Sequence, residues 1–514
     1  MLESVESQAG QACLQPSRVE LREKPDLSFI PSVSPAPEPR QSILYVTSEI
    51  ADFIKAGGLG EVSSALPRAL RQNYDVRVLI PGYRQVLDGA GLVEVVGELP
   101  GAFGIPACKL GRIDAKDGLA IYVLLCPELY DREGTPYGDA RGVDWVDNDI
   151  RFARLGLAAA DLAAGKGDPR WRPDLLHLND WPSSLAPAYL AWRGQSVPSI
   201  LTIHNLAYQG LFERERLPRL GIPENAFQME GVEFYGKLSF LKAGIFYSSH
   251  ITTVSSTYAQ EITTPQSGCG LDGLLRVRAE QGRLDGILNG IDESWDPSTD
   301  PYLASPFTPD DWKGKQANAD HVRQSFGLAV SRGPLFAVVS RLVHQKGVDL
   351  AIAAAQAIVA KGGQVVVTGR GEERFENALQ KLAKQHPGEV GVRIGYEEAE
   401  ARRMYAGSDF LLMPSRFEPC GLSQMYAQRF GSLPIAHKTG GLADTIEDGV
   451  TGFLFGEMSL YGFLDAIKRG LDTFSSHAKL EAMRKAAMSR PHGWEQAATK
   501  YKDVYRRAFR TSAA

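Results

Sequence analysis

The sequence predicts an α/β protein made of two doubly wound units. Short apolar segments alternate with segments of helical periodicity along most of the chain. The alternation pauses once, over residues 293–333, which are rich in Pro, Asp, Ser and Lys. A chain of 514 residues is also too long for a single core. We therefore expect two mostly parallel sheets, each covered by helices on both faces.

In the first unit, placed at residues 41–290, the apolar runs read as buried strands. The segment 61–72, which follows the first strand, has apolar residues at helical spacing. The predicted strands are 43–47, 75–80, 120–125, 175–178, 200–204, 251–254 and 285–288. This order of strands and helices is typical of a doubly wound sheet.

The same rhythm restarts in the second unit, placed at residues 291–514. Its predicted strands are 335–340, 364–368, 392–394, 410–413, 433–436 and 452–454, with helices at 347–360 and 373–385. A final helix is expected at 494–509, and the pattern does not fix its packing partner. Residues 1–40 are polar and rich in proline, which predicts a flexible extension.

Composition excludes several classes of protein. The 56 Lys and Arg residues against 61 Asp and Glu give a net charge of −5, so no basic field attracts nucleic acid or an anionic membrane. No apolar run reaches the length of a membrane span, and the first 40 residues do not read as a signal peptide. Five cysteines without metal-ligand spacing indicate a reducing compartment. We expect a cytoplasmic protein.

In open sheets of this kind, ligands bind beyond the carboxyl ends of the strands. After the predicted strand 410–413 come Glu418, one carboxylate in a short loop, and then Gly421 at the start of a helix. Backbone N–H groups at such a helix start bind phosphate, and the carboxylate can reach an attached sugar. The segment therefore predicts a nucleotide-sugar site, with an ordinary capped strand-to-helix turn as the alternative.

Other polar residues follow strands in both units. Arg341 and Lys346 come after strand 335–340, where two cations can act on one diphosphate. Tyr396 follows strand 392–394 and offers a flat face for a base. The structural alternatives are a solvated basic loop and a surface-anchored core tyrosine.

The first unit adds a glycine-rich turn and two histidines. Lys55 with Gly57 and Gly58 follows the first strand, where the glycines permit close approach of a ligand. His204 ends strand 200–204 and can hydrogen-bond a sugar hydroxyl. The alternatives are a tight connection and a core histidine. His177 and Asp180 occupy a similar position after strand 175–178, and Asn289-Gly290 reads as a turn between the units.

These residues stand in motifs by which the chain resembles bacterial glycogen synthases, the ADP-glucose-using family related to plant starch synthases. The resemblance spans residues 42–509. Its motifs are Lys55-Ala56-Gly57-Gly58-Leu59-Gly60, His204-Asn205-Leu206-Ala207-Tyr208-Gln209-Gly210, Asn289-Gly290-Ile291-Asp292, Ser340-Arg341-Leu342 with Gln345-Lys346-Gly347, Pro414 through Gln424, and Thr439-Gly440-Gly441-Leu442-Ala443-Asp444-Thr445. It implies a GT-B fold, in which two Rossmann-like domains face each other across a cleft and the last helix crosses back to the first domain.

The resemblance also implies a reaction and roles for the residues. Glucose would pass from ADP-glucose to the non-reducing end of an α-1,4-glucan, with retention and without a metal or other cofactor. The implied catalytic residues are Glu418, Arg341, Lys346 and His204. Lys55, Gly57 and Gly58 would face the donor, Asn289 would contact glucose hydroxyls, Tyr396 would stack on adenine, Cys420, Gly421 and Leu422 would present backbone around the glucose, and Asp180 would line the substrate site.

Several positions depart from the usual pattern of the family. Glu61 stands where an aspartate is usual, Asn179 replaces a histidine and Pro182 replaces a polar residue. Tyr426 lies eight residues after Glu418, where related glycosyltransferases carry a second glutamate. The departures at 61, 179 and 182 concern the expected acceptor side. Two alternatives stay open: another nucleotide-sugar glycosyltransferase of the same fold, or a glucan-binding homologue without activity.

Overall fold

The computed structural model describes residues 20–22 and 40–512, with side chains placed at 40–510. Most of the predicted extension at 1–40 therefore lies outside the described residues. The strands of the described chain are β1 (Glu20–Arg22), β2 (Ser42–Val46), β3 (Asp75–Pro81), β4 (Leu92–Leu99), β5 (Cys108–Asp114), β6 (Ala120–Leu125), β7 (Leu175–Asn179), β8 (Ser199–Ile203), β9 (Leu211–Phe212), β10 (Glu233–Phe234), β11 (Lys237–Ser239), β12 (His250–Thr253), β13 (Leu284–Gly286), β14 (Leu335–Val339), β15 (Gln364–Gly369), β16 (Val390–Ile394), β17 (Phe410–Met413), β18 (Leu433–His437) and β19 (Phe453–Phe455).

Helices connect most of these strands. In chain order they are α1 (Gly58–Leu70), α2 (Arg84–Ala90), α3 (Pro127–Tyr130), α4 (Asn148–Ala163), α5 (Asp180–Ser183), α6 (Ala186–Trp192), α7 (Leu217–Leu220), α8 (Phe240–Tyr247), α9 (Ser256–Glu261), α10 (Asp272–Glu280), α11 (Lys313–Ser325), α12 (Val348–Ala360), α13 (Glu373–Gln385), α14 (Glu398–Gly407), α15 (Ser423–Arg429), α16 (Gly440–Thr445), α17 (Leu460–Phe474), α18 (His477–Met488) and α19 (Trp494–Ser512).

Two large sheets organise the described chain. The first has the strand order β1-β4-β5-β6-β3-β2-β7-β8-β12-β13, and the second has the order β16-β15-β14-β17-β18-β19. All pairs of the second sheet are parallel, and in the first only β5 runs antiparallel to its neighbours. The predicted α/β class with two doubly wound units is confirmed. The boundary drawn at residue 290 stays a prediction, although the strands of the two sheets fall on either side of it.

The final helix belongs to the core of the first unit. Tyr501, Val504 and Tyr505 of α19 are buried in the same apolar cluster as Ile43 and Leu176 of the first sheet. The sequence pattern alone left this partner open, whereas the resemblance implied that the helix crosses back. The helix now closes one face of the first unit although the whole second unit precedes it in the chain.

His177 ties this helix to the sheet. Its Nδ1 lies 2.7 Å from the Tyr505 hydroxyl, and its Nε2 lies 2.7 Å from the Thr202 hydroxyl, which lies 2.7 Å from the Thr252 hydroxyl. Burial lowers the pKa of His177 to about 3, so the imidazole is neutral. Of the two interpretations of His177, the satisfied core histidine is the one this network supports.

Replacing His177 with glutamine should flatten the pH dependence of stability. The unfolded chain binds a proton near pH 6.5 but the folded chain only near pH 3, so stability is lost as the pH falls through this interval. The wild-type slope contains about 1.4 kcal/mol per pH unit from this group. Unfolding in urea at pH 7, 6, 5 and 4 measures it, and parallel slopes for the two proteins would contradict the assignment.

Two features of the fold differ from the expectation of alternating parallel strands. The pause at 293–333 contains α11, whose polar residues Lys315 and Arg323 are buried, with the Lys315 ammonium donating to the carbonyls of Ala406 and Phe430. Buried polar residues on a helix hide its apolar period, so the pattern did not predict it. The antiparallel strand β5 was also missed.

Candidate active site

Several of the predicted site residues follow strands at the places where strand order reverses. In the first sheet this switch lies between β2 and β7, and in the second between β14 and β17. Lys55 follows β2, Asp180 follows β7, Lys346 follows β14 and Glu418 follows β17. The crevices outside these strand ends are where open α/β sheets bind ligands. Both crevices contribute to one cleft, because side chains from the two units meet across it.

A buried carboxylate holds the glycine-rich loop of the first unit. Glu49 is 3% exposed, and its Oε2 accepts hydrogen bonds from the backbone N–H groups of Ala56 at 2.7 Å and Gly57 at 3.1 Å. Its Oε1 accepts the hydroxyl proton of Tyr137 at 2.6 Å. Glu49 therefore sets the shape of the loop before α1.

The glycines of this loop differ in what requires them. A Cβ at Gly60 would lie 2.6 Å from the Lys55 Cβ, so this position admits no side chain. A Cβ at Gly57 would meet nothing within 4 Å, and one at Gly58 would lie 3.8 Å from Leu422 of the second unit. Packing within the chain thus demands Gly60, whereas Gly57 and Gly58 leave open space on the side of the cleft.

Substituting alanine at these glycines should separate folding from ligand binding. Gly57→Ala fills open space at an extended backbone position, so the melting temperature should stay within about 2 °C of wild type. If the loop binds the nucleotide-sugar donor that the motifs imply, the KM for that donor should rise roughly tenfold. Gly60→Ala is the matched control, and its clash should lower the melting temperature. Thermal unfolding and initial rates measure both effects, and an unchanged KM for Gly57→Ala would contradict this role.

Asp180 and His204 form one constellation at the ends of β7 and β8. The Asp180 Oδ1 accepts the backbone N–H of His204 at 2.7 Å. Burial raises the pKa of Asp180 to about 7, against the hydrogen bonds from the backbone of His204 and Asn205. Asp180 also has a φ of +52°, which is uncommon for a residue other than glycine. Burial lowers the pKa of His204 to about 3, so its imidazole is neutral at pH 7.

In the second unit the predicted carboxylate and cation contact each other. Glu418 is 5% exposed, and its Oε2 lies 2.6 Å from the Lys346 ammonium and accepts the Ser415 hydroxyl at 3.0 Å. Gly347 has a φ of +67°, and a Cβ there would lie 1.9 Å from the carbonyl oxygen of Pro414. The loops after β14 and β17 are therefore packed together, and this packing fixes both charged groups.

Two glycines of the segment 439–445 pack directly against the backbone of the Glu418 loop. A Cβ at Gly440 would lie 2.0 Å from the carbonyl oxygen of Glu418, and one at Gly441 would lie 2.0 Å from that of Cys420. The Gly441 N–H donates to the Glu418 carbonyl at 3.0 Å. The close backbone contact explains why the segment carries paired glycines.

Asn289 also reaches this loop. Burial raises the pKa of the Cys420 thiol to about 12, opposed by hydrogen bonding to Asn289, so the thiol is not a nucleophile. The Asn289 Oδ1 is buried and has no hydrogen-bond partner among the described residues, and the same holds for the Gln424 Oε1. Unpartnered buried acceptors are uncommon and mark places where a further donor fits.

Charged side chains bridge the cleft between the units. The Lys55 ammonium lies 2.6 Å from Glu61 of its own unit and 3.4 Å from Glu398 of the other. Burial lowers the pKa of Lys55, but the hydrogen bond and charge of Glu61 and the charge of Glu398 raise it overall. Arg341 lies 3.4 Å from the Tyr208 hydroxyl across the cleft. Tyr396, next to this bridge, is 59% exposed.

A second set of contacts joins the two units away from the contact between Lys55 and Glu398. The Thr257 N–H donates to Asp444 at 3.0 Å, the Thr439 hydroxyl donates to Glu261 at 2.9 Å, and the Ser255 hydroxyl donates to the Pro419 carbonyl at 2.6 Å. These bonds connect α9 of the first unit with α16 and the Glu418 loop of the second.

Within each unit the structure places two predicted residues in contact, Asp180 with His204 and Lys346 with Glu418. Sequence reasoning missed Glu49 and Glu398. Glu49 carried a usable signal, because it is an acid directly after the first strand. Glu398 carried none, since its contact with Lys55 depends on how the two units are placed. Tyr426, at the position of a second glutamate in related enzymes, is buried and stacks on Trp295 with ring centroids 3.7 Å apart.

The described part of the chain contains no helix long and apolar enough to cross a bilayer.

Comparison with family models matches residues 42–277 to the starch synthase catalytic domain and residues 323–488 to the glycosyl transferases of group 1. The first match covers strands β2 to β12, and the second covers β14 to β19.

Several known proteins resemble the chain over nearly its whole length. A glycogen synthase of Pseudomonas fluorescens is 61% identical over 478 residues, which cover 93% of this chain and 91% of the relative. Glycogen synthase 1 of Bradyrhizobium diazoefficiens is 59% identical over 456 residues, covering 89% and 99%. The catalytic domain of starch synthase IV from Arabidopsis thaliana, solved with ADP and acarbose, superposes with a TM-score of 0.81 at 30% identity, covering 92% and 100%. A sucrose-phosphate synthase from Thermosynechococcus elongatus, at 16% identity and a TM-score of 0.57, shares the fold.

Proposed function

The chain belongs to the glycogen synthase family and is a GT-B glucosyltransferase of glycogen synthesis, and on that premise we propose that it uses ADP-glucose as donor. The acceptor is the non-reducing end of an α-1,4-glucan, and the reaction takes place in the cytoplasm. The donor is supported by the family match to the starch synthase catalytic domain and by the ADP bound in the Arabidopsis relative.

The proposed site rests on three cations that follow strands at the two switch points. Lys55 comes from the first unit, and Arg341 and Lys346 come from the second. A diphosphate gains negative charge as the glycosidic bond breaks, so cations fixed around it lower the barrier to departure. Two of these cations already have carboxylate partners, because Lys55 contacts Glu61 and Glu398, and Lys346 contacts Glu418.

The proposed glucose subsite lies beside the Glu418 loop. Glu418 holds hydroxyls of the transferred sugar, and the backbone of Cys420, Gly421 and Leu422 packs around it. The buried Oδ1 of Asn289, without a described partner, accepts a hydrogen bond from a glucose hydroxyl. The empty space beside Gly57 and Gly58 admits the donor close to the backbone. The exposed ring of Tyr396 stacks on the adenine.

Retention of configuration follows from attack on the face from which the diphosphate departs. A covalent intermediate needs an unengaged carboxylate beneath the anomeric carbon. Glu49 accepts two loop amides, the Glu418 Oε2 contacts Lys346 and Ser415, and the Asp180 Oδ1 accepts two backbone N–H groups. Because these carboxylates already have hydrogen-bond or ion-pair partners, we favour attack on the face from which the diphosphate departs, with Lys346 and Arg341 stabilising the leaving group.

A donor panel with glycogen tests the proposal. Purified protein is incubated with labelled ADP-glucose, UDP-glucose or GDP-glucose, and the label in precipitated glucan is counted. We expect incorporation from ADP-glucose at least tenfold above the others, and release of the label by an exo-acting α-1,4-glucosidase. A preference for another donor refutes the donor assignment, and retention of the protein on glycogen without turnover points to a binding homologue.

A further inference from the structure

Asn179 sits between two side chains that both need a hydrogen-bond acceptor. Its Oδ1 lies 3.0 Å from the Tyr45 hydroxyl and 2.9 Å from the His204 Nε2. Tyr45 is on β2, Asn179 ends β7, and His204 follows β8, so the three residues come from adjacent strands of the sheet. Asn179 is fully buried.

The orientation of the Asn179 amide is fixed by the backbone. Its Nδ2 donates to the Val46 carbonyl at 3.0 Å. A flipped amide would place Oδ1 against this carbonyl, so that two acceptors faced each other and a buried donor bond was lost. The oxygen therefore points at Tyr45 and His204, and both must donate to it. An amide oxygen has the two lone pairs that this arrangement requires.

We infer that Asn179 positions His204 for the reaction by fixing the imidazole tautomer: the proton is held on Nε2, and Nδ1 is left as a hydrogen-bond acceptor for a substrate hydroxyl. This inference rests on the proposed function, in which His204 contacts glucose. No described residue hydrogen-bonds Nδ1, and His204 is partly exposed. The lowered pKa of His204 agrees with a neutral ring.

The tautomer of His204 determines which orientation of a sugar hydroxyl the site accepts. A neutral imidazole with Nδ1 unprotonated orients a sugar hydroxyl as a donor, so the lone pairs of that hydroxyl are turned away from the ring. The opposite tautomer would present a donor to the sugar and lose the bond to Asn179. Asn179 touches no reacting atom in this scheme and acts through His204 alone.

Nitrogen-15 NMR of the imidazole rings reads the tautomer directly. In protein labelled at histidine, the His204 signals are identified by their loss in His204→Gln. At pH 7 the wild type should show Nε2 as protonated and Nδ1 as unprotonated. A protonated Nδ1 in the wild type overturns the inference, and this result does not depend on turnover.

Variants connect the tautomer with catalysis. Asn179→Leu removes the acceptor, so the His204 signals should move toward a tautomer mixture and kcat/KM for ADP-glucose should fall on the order of tenfold, mainly through kcat. Tyr45→Phe is the matched control, because it removes the other donor to the same Oδ1; its His204 tautomer and its kcat/KM should stay within about twofold of wild type. An Asn179→Leu protein with unchanged tautomer and rate refutes the inference. If ADP-glucose proves not to be the donor, the NMR result still stands or fails by itself.

Discussion

Replacing Lys346 with alanine should lower kcat on the order of 10²- to 10³-fold while the protein stays folded. The Lys346 ammonium lies beyond the carboxyl end of β14, in a loop that packs against Pro414. Its position is therefore set before any ligand binds. A preorganised charge of this kind acts most strongly on the diphosphate as it departs. The change should therefore appear mainly in kcat, with a smaller rise in donor KM.

The matched control for this experiment is Lys361→Ala. Lys361 is the C-cap of α12, whose N-cap Gly347 directly follows Lys346, and it is exposed. The variant removes the same charge from the opposite end of the same helix, so its kcat should stay within about twofold of wild type. Initial rates over a range of ADP-glucose concentrations measure both proteins. Near-normal turnover of a folded Lys346→Ala enzyme would contradict the role given to this cation.

Glu418→Gln should also cost on the order of 10²-fold in kcat/KM. The substitution keeps the shape of the side chain but removes the charge that Lys346 and Ser415 contact. It leaves a half-buried ammonium with a weaker partner, and the proposed sugar contact loses a strong acceptor. The same assay with glycogen as acceptor measures the loss, and circular dichroism checks that the fold is intact.

Ser415→Ala and a double variant make the result specific. Ser415 gives one hydroxyl to the same Glu418 oxygen, so its removal should cost less than about tenfold. Glu418→Gln combined with Lys346→Ala should lose less than the product of the two single effects, because the side chains act as one pair. Strictly multiplicative losses would show that the two residues act separately.

Much of the fold follows from periodicity in the sequence. Helix α13 and strand β17 lie where the apolar pattern predicts them, to the residue. These segments are regular because their apolar period is uninterrupted. The pattern failed at α11, where buried Lys315 satisfies backbone carbonyls, and at β5, which runs against its neighbours.

The site could be predicted within each unit but not between them. Strand ends and the motifs identified Lys55 and Glu418, because a switch point collects the residues that follow neighbouring strands. The contact between Lys55 and Glu398 joins residues 343 positions apart, and its existence depends on how two separate sheets face each other. No local pattern carries that information. Glu49 was missed for a different reason, since a buried acid after a strand also suits an ordinary helix cap.

The packing of α19 also has a consequence for how the protein is made. Tyr501 and Tyr505 complete the core of the first unit, yet they leave the ribosome after everything else in both units. During synthesis one apolar face of the first sheet stays uncovered while the second unit emerges and folds. The nascent chain therefore passes through a stage that is prone to aggregation and that ends only when α19 has emerged.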